Sequence, residues 1–159
     1  MGVPNSFTAG TTISSSEVNA NFTNIENFLG YEQSTSNFSN TPGANTYVNV
    51  TDLSVTVTVP SGGRALRITA FSPSIKGAAD VGQTITWAIR KGTTVLNRVV
   101  MQINSVNYNL PACCIAYVAA PSAGSHTYVA SLATSQASKV VATGNVSASS
   151  PAYILVEQI

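Results

Sequence analysis

From Leu53 to the C-terminus, apolar and polar residues alternate with the period of two expected of half-buried β-strands. In "LSVTVTV", Leu53, Val55, Val57 and Val59 share one face while Ser54, Thr56 and Thr58 share the other. "ALRITAF" sets Leu66, Ile68 and Ala70 against Arg67 and Thr69. "QTITWAIRKGTTVLNRVVMQI" predicts a hairpin about Lys91-Gly92, with Ile85, Trp87 and Ile89 inward. "LPACCIAYVAAPSAGSHTYVASLAT" predicts two strands around "PSAGS", with Tyr128, Ala130 and Leu132 on one face, and "KVVATGNVSA" and "PAYILVEQI" complete the chain. About eight strands, separated by Gly-, Pro- or Ser-containing turns, predict a mainly β fold: an antiparallel β-sandwich of jelly-roll type over residues 46–159.

The first thirty residues follow a different period. Ser14 and Glu17 have the spacing of a capping box, and Val18, Phe22, Ile25 and Leu29 recur at intervals of four, three and four. Gly30 stands where a helix ends on a left-handed residue. The pattern predicts a short N-terminal helix, with residues 31–45, "YEQSTSNFSNTPGAN", as a polar linker to the sandwich. Such a helix is too short and too Asn-rich to be stable alone in water. It must dock against its own sandwich, against copies of the chain or against another protein; the narrow seam favours copies or a partner over intramolecular packing, making Val18, Phe22, Ile25 and Leu29 the candidate oligomerisation and attachment residues.

Composition narrows the possible partners. Charged residues are 8% of the 159, against about 25% in ordinary globular chains, and apolar residues are 44%. The difference is made up by Ser, Thr, Asn and Gln. A surface of hydroxyls and amides suits a protein whose faces meet other protein faces, because desolvating them costs less than desolvating ions. A net charge of +1, with its seven basic residues scattered, gives no footprint for nucleic acid. No apolar run approaches a membrane span, and "MGVPNSFTAG" lacks the features of a secretion signal. An ordinary disulfide between adjacent Cys113 and Cys114 is sterically disfavoured, and they read as reduced, buried small residues.

Catalytic chemistry finds little support. The six acidic residues form no close pair, His126 is the only histidine, and the glycines lie in turns without a phosphate-binding context. Trp87 lies among core positions, which argues against a sugar platform there. The expectation is a chain that is not an enzyme, with no catalytic residue, no metal and no cofactor.

The two ends carry a resemblance. "VPNSFTAGTTISSSEVNANFTNIENFLG" resembles the opening of many tailed-bacteriophage virion proteins, in which a "PN-T-F--GT-IS---VNANF" segment begins a fibre or surface protein. Pro4, Asn5, Phe7, Gly10, Thr11, Ile13, Ser14, Val18, Asn19, Ala20, Asn21 and Phe22 carry the match. "PSAGSHTYVASL" and "SPAYILVEQI" are similar to the last strands of phage fibre, minor tail and capsid-surface domains. The resemblance implies a homotrimer located in the virion and assembled in the host cytoplasm. Residues 1–30 would attach to the particle, through the major capsid protein or another virion protein, and a β-sandwich head would face outward. A chain with one helix, one linker and one compact domain suits a capsid-surface decoration or head-fibre protein. The alternative is a short tail fibre or tail-tip protein that binds a host surface glycan or receptor.

Overall fold

The computed structural model describes residues 28–61, 64–77, 82–104 and 109–159. Twelve strands follow in chain order: β1 (Phe28–Ser34), β2 (Ser39–Asn40), β3 (Val48–Val59), β4 (Leu66–Ser72), β5 (Ile75–Gly77) and β6 (Thr84–Lys91) make the first half. The second half is β7 (Thr94–Gln102), β8 (Asn109–Leu110), β9 (Cys113–Ala119), β10 (Gly124–Thr134), β11 (Val141–Thr143) and β12 (Ala152–Gln158).

The eight long strands form two four-stranded antiparallel sheets, β1-β12-β4-β9 and β3-β10-β6-β7, with β1 lying over β3 and β9 over β7. Neighbours are nested in sequence: β1 pairs with β12, β3 with β10, β4 with β9 and β6 with β7. This is a long antiparallel ribbon rolled on itself, the winding of a jelly roll. A small sheet, β2-β11-β5-β8, closes one end, here called distal. The opposite, proximal end holds Phe28, Leu66, Ala119 and Gln158, which the pairing register sets side by side.

The period-two pattern becomes a single core. Leu53, Val55, Val57 and Val59 from β3 meet Leu66, Ile68 and Ala70 from β4, Ile85, Trp87 and Ile89 from β6, and Ile154 and Val156 from β12, all buried. Burying a side chain of this size removes it from water at a gain of about 1.5–3 kcal/mol, which is why the alternation dictates register. Gly92, at φ 57, takes the first position of the two-residue loop between β6 and β7, where a hairpin turn favours glycine.

Three expectations need correction. Val18, Phe22 and Ile25 lie outside the described residues, but Leu29 and Gly30 belong to β1, an edge strand, and not to a helix end. Leu29 is half-buried against the core. Gly30 serves close approach: a Cβ there would stand 2.6 Å from Val55 Cγ2 and 3.0 Å from Val57 Cγ1. The linker expected over 31–45 is likewise partly strand, since Phe28–Ser34 pairs with β12 and Ser39–Asn40 with β11. An edge strand has one paired side, so the exposed Tyr31, Glu32 and Gln33 blur the alternation that marks a central strand. Finally, of the two cysteines only Cys113 is buried; Cys114 points outward, and both are free thiols.

Candidate functional surfaces

Register across β1, β12, β4 and β9 lays the outward side chains in rows. Gln33, Tyr153, Phe71 and Cys114 make one row, Tyr31, Leu155, Thr69 and Ala116 the next, and Phe28, Glu157, Arg67 and Val118 the third. Tyr153 lies at the centre of an aromatic group, its ring centroid 5.2 Å from that of Phe71 and 5.8 Å from that of Tyr31. Burial among these rings raises the Tyr153 hydroxyl above its ordinary pKa, with smaller contributions from Cys114, Tyr31 and Glu157. The charges on this face are those of one ion pair, Arg67 donating to Glu157 Oε2 at 2.8 Å through Nη2 and 3.0 Å through Nε. Phe28 and Val118, each more than half exposed at 58% and 55%, extend the apolar area to the proximal rim.

The outward side of β3-β10-β6-β7 has another chemistry. Thr56 and Thr127 share a hydrogen bond at 2.8 Å, and Ser131 donates to Asn49 Oδ1 at 3.2 Å. Arg90 donates to the Gly92 carbonyl at 3.0 Å while its guanidinium lies 5.2 Å from the Tyr47 ring centre, a cation–π distance.

Two clefts remain. The proximal one, about 300 Å³, lies between Lys91, Tyr117, Pro121 and Tyr128. Beside it, His126 has both ring nitrogens engaged: Lys91 Nζ donates to Nδ1 at 2.7 Å, and Nε2–H donates to the Ser122 carbonyl at 2.8 Å. Both ring nitrogens are thus paired. The distal cleft, about 450 Å³, is lined by Ser36, Asn37, Phe38, Asn40, Thr51 and Asp52, among others. Its wall is built by a slip in β3. Between the pairs Asn49–Ser131 and Ser54–Val129, the four residues Val50–Leu53 stand opposite the single residue Ala130. Val50 and Leu53 are buried as anchors, so Thr51 and Asp52 are thrown outward, Asp52 at φ 67.

Among the described residues no cluster of three His, Cys, Asp or Glu side chains could hold a metal ion. Burial pushes the Cys113 thiol up to about 11, with Cys114 adding to the shift, so it is protonated at neutral pH. No described helix is long and apolar enough to cross a membrane. Of the residues expected to make an attachment site, Leu29 alone is described, and it packs inward. Neither the aromatic face nor the distal cleft was expected. The aromatic face could have been found from Tyr31, Phe71, Tyr153 and Leu155, all at polar-phase positions. The cleft was signalled by the interval of three between Val50 and Leu53 where two was due.

No family model and no curated protein matches the chain. Among solved structures it is similar to a carbohydrate-binding module of Cellvibrio mixtus lichenase 5A in complex with cellotriose, at 15% identity and a TM-score of 0.34, covering 83% of this chain and 98% of that one. It is also similar to the enzymatically active domain of tailspike protein 4 of bacteriophage CBA120, at 10% identity and a TM-score of 0.28, covering 87% of this chain and 20% of that one. A third is an infectious bursal disease virus structure, at 14% identity and a TM-score of 0.27, covering 83% of this chain and 41% of that one. These likenesses are remote, and no function is read from them.

Proposed function

We propose that the chain is a non-enzymatic structural protein of a tailed-bacteriophage virion, a capsid-surface decoration or head-fibre protein. Its N-terminal segment attaches it, and copies assemble as a homotrimer through the face of β1-β12-β4-β9. The observation that carries this reading is that face. Tyr31, Phe71, Tyr153 and Leu155 cluster on this outer face, with Phe28 and Val118 exposed at its proximal rim beside the Arg67–Glu157 pair, whereas the opposite outer face is mostly polar and carries Val100 as its exposed large apolar residue. The charge of the aromatic face is confined to one internally neutralised pair, so covering it leaves no ion without a partner. Copies of this same chain are the fitting cover, because residues 1–27 join the sheet at Phe28, on the edge strand of that face. An attachment held by several N-termini would bring several such faces together. The opening and closing motifs that resemble phage virion proteins support the setting.

The test is to label the protein in intact particles and count its copies. Hundreds distributed over the head agree with decoration. A handful at the tail tip overturns it in favour of the second reading, a short tail-fibre protein that binds a host surface glycan or receptor. The observation favouring that second reading is the distal cleft, which lies at the end of the sandwich opposite Phe28.

A further inference from the structure

We propose that the distal cleft is a binding site for a neutral saccharide, with the Asp52 carboxylate as its principal hydrogen-bond acceptor. The cleft's volume of about 450 Å³ falls in the ~300–1,000 Å³ range of small-molecule sites. What it offers a ligand is specific. Among the described residues the Asp52 carboxylate has no hydrogen-bond or ion-pair partner, so its oxygens are open to hydroxyl donors, and a charged acceptor makes hydrogen bonds stronger than a neutral one. Around it stand the hydroxyls of Ser36 and Thr51 and the amides of Asn37 and Asn40, with the half-buried Phe38 as the aromatic member of the wall. Hydroxyls and amides that both donate and accept, around one carboxylate and one ring, match a sugar ring, which presents hydroxyls at its edge and C–H groups on its face.

The wall is also held still. Asn37 Oδ1 accepts from the Val146 amide at 3.0 Å, and Phe38 is clamped to Thr143 by its amide at 2.8 Å to Oγ1 and its carbonyl at 3.0 Å to the Thr143 amide. Asp52 stands in a left-handed conformation unusual inside a strand, held there by the buried Val50 and Leu53 on either side. A site whose backbone is fixed before binding loses less entropy on binding.

Other ligand classes fit worse. A cation of the calcium type takes six or more oxygens and commonly several carboxylates, and this cleft has one. An anion would meet that carboxylate with no Lys or Arg in the lining to offset it. The inference goes beyond placement on the particle: a head protein and a tail protein could each carry such a site, and failure here leaves the copy count untouched.

The experiment is a titration of the full-length protein with cellotriose, maltotriose and N,N′,N″-triacetylchitotriose, followed by amide chemical shifts. Calcium chloride and sialyllactose serve as separate arms. At least one neutral trisaccharide should shift the amides of residues 36–40 and 51–52 saturably. Asp52→Asn, which tolerates the left-handed backbone, should weaken that binding about tenfold or more while leaving the Trp87 indole and Ile154 amide signals in place. Asn40→Ala, away from the strained position, should weaken it by a smaller factor. The proposal is overturned if no neutral trisaccharide moves these amides, or if Asp52→Asn binds as tightly as the parent. It is equally overturned if calcium alone or sialyllactose saturates the site more tightly than every neutral sugar.

Discussion

On one outer side of the sandwich stand Tyr31, Tyr153, Phe71, Leu155 and Val118; on the other stand Ser54, Thr56, Thr127 and Ser131, with Arg90 laid against Tyr47. Both sides use the outward phase of the same alternation, above one shared core. On the hydroxyl side several polar groups pair with each other, Thr56 with Thr127 and Ser131 with Asn49, and Val100 is its exposed large apolar residue. On the aromatic side, ring area and aliphatic area remain in water, which a solitary domain gains nothing by keeping. The difference teaches that an alternating strand pattern specifies only the inner face. The outer face is free to record what the molecule meets, and here the two outer faces record different things.

The widest separation between the faces is expected in assembly. If copies assemble through the aromatic face as proposed, Tyr153→Asp with Leu155→Asp should eliminate the oligomer in light scattering and leave a folded monomer, whereas Thr56→Asp with Thr58→Asp should leave the oligomer intact. If both pairs assemble equally, the aromatic face is not the contact between copies. Thiol labelling sharpens the result: the outward Cys114 should react in the monomeric variant and be protected in the oligomer, while the buried Cys113 stays protected in both.

A core substitution beneath the faces should not distinguish them. Ile154→Ala, fully buried between Tyr153 and Leu155 in sequence, is expected to cost about 3 kcal/mol in denaturant unfolding and to lower both faces together. A loss below about 1 kcal/mol would show that the sheets can close over the gap.

Alkaline pH provides a subtler probe. The folded Cys113 thiol holds its proton to about 11 against 9.0 when free, so between those values the native state binds more protons than the unfolded chain. Stability is therefore expected to fall as pH rises from 9 toward 11, and to regain its full value below 9. Tyr128 and Tyr153, both raised by burial, act in the same direction at higher pH. Cys113→Ala should flatten the thermal-midpoint profile over that window, and an unchanged slope would assign the loss to other groups. The smallest effect belongs to the hydroxyl face: Thr56→Val should change stability by less than about 1 kcal/mol, because its exposed bond with Thr127 is replaced by water.

Legibility in the sequence followed burial. The inward sets of β3, β4, β6, β10 and β12 were readable because each has one buried face, and a one-residue slip would expose all of it. The edge strand β1 was not, since Tyr31, Glu32 and Gln33 are all exposed and Gly30 was spent on sheet approach instead of a helix end. Strands of two or three residues, β2, β5, β8 and β11, are too short to show a period. The distal cleft is lined largely by residues whose composition spelled a linker. Only the interval from Val50 to Leu53 marked it, and an interval acquires meaning once its register against Ala130 is known.

The position of β1 has a mechanical consequence. Residues 1–27 continue directly into an edge strand that is laddered to the C-terminal strand at six positions from Phe28 to Ser34. A pull transmitted through Phe28 along the strand would try to slide β1 past β12, stretching those rungs simultaneously in shear, instead of peeling them one after another. A load applied at Phe28 along the strand would thus be borne by the whole ladder at once.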